Sequence, residues 1–198
     1  MSLPGGNRMT PAQRTTLEQI ILQDSVLKTV LERAPQLALA NYYAGAGCVA
    51  QTVWNHLFGL PPAYGISDID LVYFDDDLSS ESENAVVQEA CLLFSDLKIP
   101  VDVKNEARVH LWYEDHFGYP IEPYESLEDA IDTWPTTATA VGLRMDFSGC
   151  LQIYAPFGLD DLFSGTVRAN KAQITEEIYR LKVRKWTRKW PGLKIIPW

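Results

Sequence analysis

The chain has 198 residues, 46% of them hydrophobic, and a formal net charge of −9. That length suits one ordinary domain, or a core with a helical extension, and the composition is normal for a globular protein. The acidic balance argues against broad nucleic-acid binding, and no apolar run approaches a membrane span.

The first residues, Met1-Ser2-Leu3-Pro4-Gly5-Gly6, lack a charged n-region and an apolar h-region, so no signal peptide is expected, and Met1-Ser2-Leu3 reads as a cloning remnant. Thr10-Pro11-Ala12-Gln13 predicts a helix start, with Thr10 as N-cap, Pro11 in the first helical position and Gln13 three after the cap. Leu17, Ile20, Ile21, Leu27 and Leu31 form its apolar face as far as Ala34-Pro35, which predicts one helix over 10–34. Asn41-Tyr42-Tyr43-Ala44 reads as a short strand. It enters a small-residue turn, Gly45-Ala46-Gly47-Cys48, whose glycines permit a backbone approach that a Cβ would block. Residues 49–58 read as the next helix, with Val49, Val53 and Leu57 at spacings of four. A strand, a glycine turn and a helix N-terminus together make an anion site from N–H groups and the helix dipole.

Ser67-Asp68-Ile69-Asp70-Leu71-Val72-Tyr73-Phe74 follows, and its apolar second half reads as a buried strand. Side chains at i and i+2 share a strand face, so Asp68 and Asp70 project together. Asp75-Asp76-Asp77 ends the strand and reads as loop and helix-start charge rather than as ligands. Ser80 and Glu83 fit a capping box, opening a helix whose apolar face is Val86, Ala90, Phe94 and Leu97. Asp102 lies in a further apolar run, Ile99-Pro100-Val101-Asp102-Val103. If the two aspartate strands are neighbours, three carboxylates converge. Such a cluster repels itself unless a divalent cation neutralises it, and magnesium suits it when substrate phosphates complete the shell. A phosphate cradle beside a carboxylate metal site is equipment for phosphoryl or nucleotidyl transfer.

Residues 106–124 are rich in aromatics: Trp112, Tyr113, Phe117, Tyr119 and Tyr124. They either pack helix against sheet or stack a nucleobase, with Arg108 or His110 reaching a triphosphate. Arg108 is the better candidate, because a guanidinium matches phosphate oxygens bidentately. Residues 126–132 suggest a short helix, 138–144 and 151–154 strands, 158–163 a helical turn and 175–190 a final helix. On that last helix Tyr179, Val183, Trp186 and Trp190 form an apolar stripe, and Lys182, Arg184, Lys185, Arg188 and Lys189 lie largely off it. Residues 168–198 hold nine Lys/Arg and two Glu, a net of +7, leaving about −16 on residues 1–167. The basic helix therefore either docks on the acidic body or binds an acceptor such as RNA. Docking is the expectation, because the tryptophan stripe must be buried. Cys48, Cys91 and Cys150 have no pairing spacing and fit reduced thiols in a cytoplasm, and with His56, His110 and His116 they make no zinc pattern.

Gly47-Cys48-Val49-Ala50-Gln51, then Ser67-Asp68-Ile69-Asp70-Leu71, then Asp102, resembles the signature of the DNA polymerase beta-like nucleotidyltransferases. The runs Gln51-Thr52-Val53-Trp54-Asn55, Ala107-Arg108-Val109-His110-Leu111-Trp112-Tyr113, Tyr154-Ala155-Pro156-Phe157-Gly158-Leu159-Asp160-Asp161-Leu162-Phe163 and Trp190-Pro191-Gly192-Leu193-Lys194 are similar to one branch of it, the short bacterial nucleotidyltransferase-like proteins. The likeness runs from about Ala40 to the C-terminus. It departs from the wider superfamily in Cys48, where serine is usual, and in the long spacing through Leu60-Pro61-Pro62-Ala63-Tyr64-Gly65, which implies a longer loop over the site.

The resemblance implies an α/β (α+β) fold with a mixed sheet over about 36–155, the helix at 10–34, and a C-terminal helical extension over 156–198 ending in the basic helix. It implies transfer of a nucleoside monophosphate from an NTP to an unknown acceptor, with pyrophosphate released. Asp68, Asp70 and Asp102 would be the catalytic and Mg2+ (or Mn2+) ligands. Gly45, Gly47, Cys48, Gln51, Ser67 and Arg108 would hold the nucleotide. A small-molecule acceptor is favoured over RNA or protein, with no membrane partner. Two rivals are a glycosyl transferase using Asp-x-Asp, which leaves the glycine turn and third aspartate unexplained, and a nucleotide-binding module of the same fold without turnover.

Overall fold

The computed structural model describes residues 9–146 and 148–198, so the segment 1–6 discussed above lies outside the described residues. Helix α1 (Pro11–Gln23) starts with the predicted capping box, Thr10 and Gln13 bonding each other's backbone N–H. The expected single helix breaks at Asp24. Its carboxylate accepts from the N–H groups of Val26 and Leu27 at 3.1 and 2.9 Å and caps a second helix, α2 (Ser25–Arg33). The apolar spacing runs through both helices, which hid the break from a reading of periodicity.

Strand β1 (Tyr42–Gly45) leads into α3 (Gly47–Leu57), and β2 (Ile69–Tyr73) leads through the aspartate loop into α4 (Ser80–Leu93). The cap of α4 is Ser79, not Ser80: its hydroxyl accepts from Ser82 N–H. Glu83 is drawn off the expected capping box because its carboxylate accepts from Asn105 N–H at 2.9 Å and pairs with Arg108. Strand β3 (Val101–Asn105) is followed by a 3-10 turn (Glu106–Arg108), α5 (His110–Phe117), α6 (Leu127–Asp132), β4 (Gly142–Met145) and β5 (Leu151–Tyr154). The sheet order is β3-β2-β1-β4-β5. Among the described residues of this sheet β2 and β3 alone pair in parallel, so the sheet is mixed. A short helix, α7 (Asp160–Phe163), β6 (Thr166–Val167), α8 (Glu176–Lys189) and β7 (Lys194–Ile195) complete the chain, and β6 and β7 pair in parallel.

Alternation along the strands sorts residues onto two faces. Ala44, Ile69, Leu71, Val103 and Leu143 join the main core together with Leu17, Leu31, Val49, Val53 and Trp54 from the helices. On the other face Tyr43, Val72, Leu127 and Ile131 form a small second core under α6. Asp70, Asp102 and Lys104 alternate with main-core residues and so belong to this thinner face.

The C-terminal helix docks through its predicted stripe, with Tyr179, Trp186 and Trp190 buried. Trp54 meets Trp186 and Trp190 edge-on at 5.5 and 5.6 Å. Lys189 Nζ donates to the Gly65 carbonyl at 2.7 Å and Asn55 Nδ2 to the Tyr64 carbonyl at 3.0 Å, so the helix and α3 together hold the long loop before β2. No helix among the described residues is long and apolar enough to cross a membrane.

Candidate functional site

The parallel register of β2 and β3 sets Asp70 directly opposite Asp102. Two carboxylates on adjacent strands and one face are thereby fixed by backbone pairing alone. Asp68 stands at the entrance to β2, exposed, and accepts from the Ser67 hydroxyl at 2.7 Å. Burial pushes the Asp70 carboxyl above its ordinary range, with Asp68 and Asp102 adding to the shift and Lys104 opposing it. The cluster thus holds negative charge that the protein compensates only in part.

The partial compensation is Lys104, a residue the sequence reading did not single out. Its Nζ lies 2.5 Å from Asp102 Oδ2 and 3.5 Å from Asp70 Oδ1. Burial opposes its charge, but these two carboxylates hold the ammonium above its ordinary pKa. The signal was present in the strand period, since Lys104 is two residues past Asp102 and must share its face. Among the described residues no three His, Cys, Asp or Glu side chains form a ready-made metal cage. Asp68 and Asp70 are hard oxygen donors that fit a divalent cation. Asp102 is exposed, its carboxylate is paired with Lys104, and it is not among the residues lining the cavity of Asp68 and Asp70.

The glycine turn faces the same cavity. Ala46, Gly47, Gln51, Ser67, Asp68 and Asp70 line a space of about 240 Å³. Ala46 is the N-cap of α3 and offers no side-chain cap, so the helix presents its first N–H groups and positive dipole end there. Ala46 has φ +58°, a strained conformation for a residue with a Cβ. A Cβ on Gly47 would meet the Gln51 amide at 2.9 Å, and the buried Gln51 Oε1 has no hydrogen-bond partner among the described residues. Gly45 has a packing reason of its own: a Cβ would lie 2.6 Å from the Val141 carbonyl oxygen and 2.8 Å from the Trp134 ring. Cys48 is buried, its Sγ donates to the Gly45 carbonyl at 3.0 Å, and burial pushes its thiol pKa far up. Any contribution of Cys48 to a phosphate would come from its backbone N–H.

Arg108 is not brought to this cavity. Its guanidinium is committed to Glu83 and to the Leu78 carbonyl, tying β3 to α4. The basic groups that do line the cavity are Lys182 and Lys185 of α8. They stand one helical turn apart beside Trp186. Burial lowers the Lys182 pKa, with Lys185 and Lys104 adding to the effect and Asp70 and Asp68 opposing it. The sequence separated docking from ligand binding as rival roles for this helix, whereas in the fold the tryptophan stripe docks and two lysines at its edge face Asp68 and Asp70.

A second cavity, of about 160 Å³, adjoins the first through Pro135 and Lys182. Its walls include Lys104, Glu106, Trp112, Tyr124 and Trp134. Glu106 is 7% exposed, and burial lifts its carboxyl from 4.5 to about 7, Lys104 opposing and Asp70 reinforcing the shift. A carboxyl whose folded pKa is raised favours the folded state most below its unfolded pKa, and that advantage is lost as pH rises through the folded pKa. Relative to Glu106→Gln, the wild type should therefore lose on the order of 3 kcal/mol of stability as pH climbs from 4.5 to about 7, with no further loss above that. Parallel denaturant titrations of both proteins at intervals across that range check this, and a pH-independent difference would show that Glu106 ionises freely.

A nucleotidyltransferase family model matches residues 32–195. A protein whose NMR structure is described as revealing a CCA-adding enzyme head domain is 25% identical, with a TM-score of 0.76 over 93% of this chain and 96% of that one. A tRNA-processing enzyme in an apo form is 15% identical, with a TM-score of 0.47 over 84% of this chain and 44% of that one. No curated protein matches the chain. With the family match covering most of its length and the mixed sheet carrying paired aspartates beside a glycine turn, the chain belongs to the nucleotidyltransferase family.

Proposed function

We propose that the protein moves a nucleoside monophosphate from an NTP to a small-molecule acceptor, with Asp68, Asp70 and Asp102 as the reactive cluster. The observation that carries this reading is the single cavity in which Asp68 and Asp70 face the α3 N-terminus and two lysines. Backbone N–H groups around Gly47 and Cys48, together with Lys182 and Lys185, hold the β- and γ-phosphates. Gln51 and Ser67 line the same space and orient the chain of phosphates. Asp68 and Asp70 would hold a divalent cation, which would supply Lewis-acid stabilisation of the phosphate charge and lower the pKa of the acceptor's hydroxyl or amine.

The acceptor's oxygen or nitrogen forms a bond to the α-phosphorus. The bond from that phosphorus to the bridging oxygen breaks, and pyrophosphate leaves with the electron pair. Asp102, released from Lys104, takes the acceptor's proton. Before substrate arrives, Lys104 partly balances the charge of Asp70 and Asp102. The acidic body disfavours a polyanionic acceptor, which is the physical reason for placing a small molecule ahead of RNA.

Two measurements test this. Incubation with each α-labelled NTP, magnesium or manganese and a cell extract should label an acceptor and release pyrophosphate in equal amounts; no labelling with any NTP would overturn the reading. Lys182→Gln with Lys185→Gln should weaken NTP binding by roughly tenfold per lysine, since each loses a charge-assisted contact. Arg184→Gln with Arg188→Gln, both on the exposed side of α8, should leave it unchanged. Equal losses in the two pairs would show that the helix acts only through its overall charge.

A further inference from the structure

The second cavity has features that nucleotidyl transfer chemistry does not require. Aromatic walls from Trp112, Tyr124 and Trp134 surround Glu106, and the volume of about 160 Å³ is too small for a whole drug-sized ligand but suits one planar ring system. Glu106 has no side-chain hydrogen bond or ion pair among the described residues, although it is only 7% exposed. A carboxyl this buried without a hydrogen bond is costly, the charge of Lys104 offsets that only in part, and its oxygens open onto the cavity, where a ligand can meet them. In this structure Lys104 pairs with Asp102 and Tyr124 donates to Gln173 at 3.0 Å, so neither is bonded to Glu106.

Continuity says what completes it. Pro135 and Lys182 line both cavities, so a ligand whose phosphates sit against Lys182 and the α3 N-terminus can extend a ring between the aromatic walls. A cationic ring is disfavoured by Lys104 and Lys182 at the rim. A neutral ring that stacks on aromatic faces and offers N–H donors along one edge fits both the walls and the carboxylate.

Resting on the nucleotide reading above, we propose that this pocket is the nucleobase subsite and that Glu106 reads the base edge, selecting guanine. A carboxylate is an acceptor with two oxygens, and guanine alone among the four RNA bases sets two donor groups side by side, its N1–H and exocyclic amine. Adenine and cytosine turn a ring-nitrogen acceptor toward the same position. Gln173 lines the pocket with its Oε1 occupied by Tyr124, which leaves its amide nitrogen as the donor for the adjoining carbonyl oxygen of guanine.

The test is binding, measured calorimetrically about one to two pH units above 7 so that Glu106 is ionised, with magnesium and the α,β-methylene analogues of GTP, ATP, CTP and UTP, and with inorganic tripolyphosphate as a probe of the phosphate subsite alone. The GTP analogue should bind roughly tenfold or more tighter than the others, the discrimination of one good bidentate contact. Glu106→Gln supplies one donor and one acceptor, so it should erase that preference while still binding tripolyphosphate as the wild type does. Trp112→Ala, at a position already 37% exposed, should weaken the GTP analogue and leave tripolyphosphate unchanged. Equal affinity for the four analogues, or a guanine preference that survives Glu106→Gln, would overturn the base assignment and leave the nucleotide reading standing. Tripolyphosphate and all four analogues failing to bind would overturn both.

Discussion

Asp70→Asn is expected to lower nucleotidyl transfer by roughly a thousandfold or more while leaving the fold and melting temperature nearly untouched. The activity loss follows from position. Asp70 is the only one of the three aspartates that is both inside a strand and half-buried, set opposite Asp102 by the register and shared with Asp68 by strand alternation. Converting it to an amide removes one full charge from the donor set, and a lost contribution of several kcal/mol to phosphate charge stabilisation corresponds to that factor. The stability argument runs the other way. Burial and two neighbouring carboxylates raise the Asp70 pKa, so ionised Asp70 is a cost to the folded state at neutral pH. Asparagine removes that cost but forfeits the contact with Lys104, and the two effects offset to within roughly 2 °C of melting temperature. Product formation with labelled NTP and a thermal melt check the two halves. Wild-type turnover in excess chelator, or an Asp70→Asn protein that does not fold, would show that Asp70 has been given the wrong role.

How much of this was readable from the chain depends on the range of the interaction that fixed each feature. Asp68 and Asp70 share a side by the period of a strand, and Thr10 and Gln13 close a cap over three residues; both follow from local geometry. That Asp102 would lie opposite Asp70 required β2 and β3 to be parallel neighbours, which spacing permitted but did not dictate. The resemblance to nucleotidyltransferases supplied that pairing. Arg108 misled because a guanidinium matches phosphate and carboxylate equally well, and its choice of Glu83 depends on where α4 lies, some twenty-five residues earlier in the chain. Ser79 displaced Ser80 as a cap for a related reason: Glu83 had a stronger use at the β3 backbone than in a capping box.

The lysines of α8 were the harder case. In the sequence a run of charge lies beside an apolar stripe, and the two read as competing roles for one helix. A helix that docks by one stripe necessarily aims its flanking positions at whatever borders the docking groove. Here the border is the cavity of Asp68 and Asp70. Glu106 was hidden for the opposite reason. A single acidic residue after a strand reads as surface charge, and only the packing of α5, residues 133–135 after α6, and the segment around Gln173 encloses it.

Trp190→Ala should be the most destabilising single truncation in the C-terminal extension, costing about 3–5 kcal/mol, and it should also reach the site. Trp190 is 0% exposed, edge-on to Trp54 and Tyr64, and its Nε1 donates to Asn55 Oδ1 at 2.8 Å. Truncation opens a cavity and strands a buried amide oxygen that also belongs to the clamp on the long loop, since Asn55 Nδ2 holds the Tyr64 carbonyl. For a chain of this length that corresponds to a melting temperature lower by roughly 10 °C or more. Below the new midpoint the variant should still be folded, but α8 has lost the anchor that sets Lys182 and Lys185 against Asp68 and Asp70. NTP affinity should therefore fall in a protein whose circular dichroism is native. Trp198→Ala provides the contrast. Its ring is partly exposed and meets Tyr179 and Lys171 at the outer edge of the extension, so about 1 kcal/mol or less should be lost and NTP binding should not change. Differential scanning calorimetry and isothermal titration on the two variants separate these outcomes. A Trp190→Ala protein that melts like the wild type, or that is destabilised yet binds NTP with full affinity, would mean that the extension is an appendage and that the site is complete without its lysines.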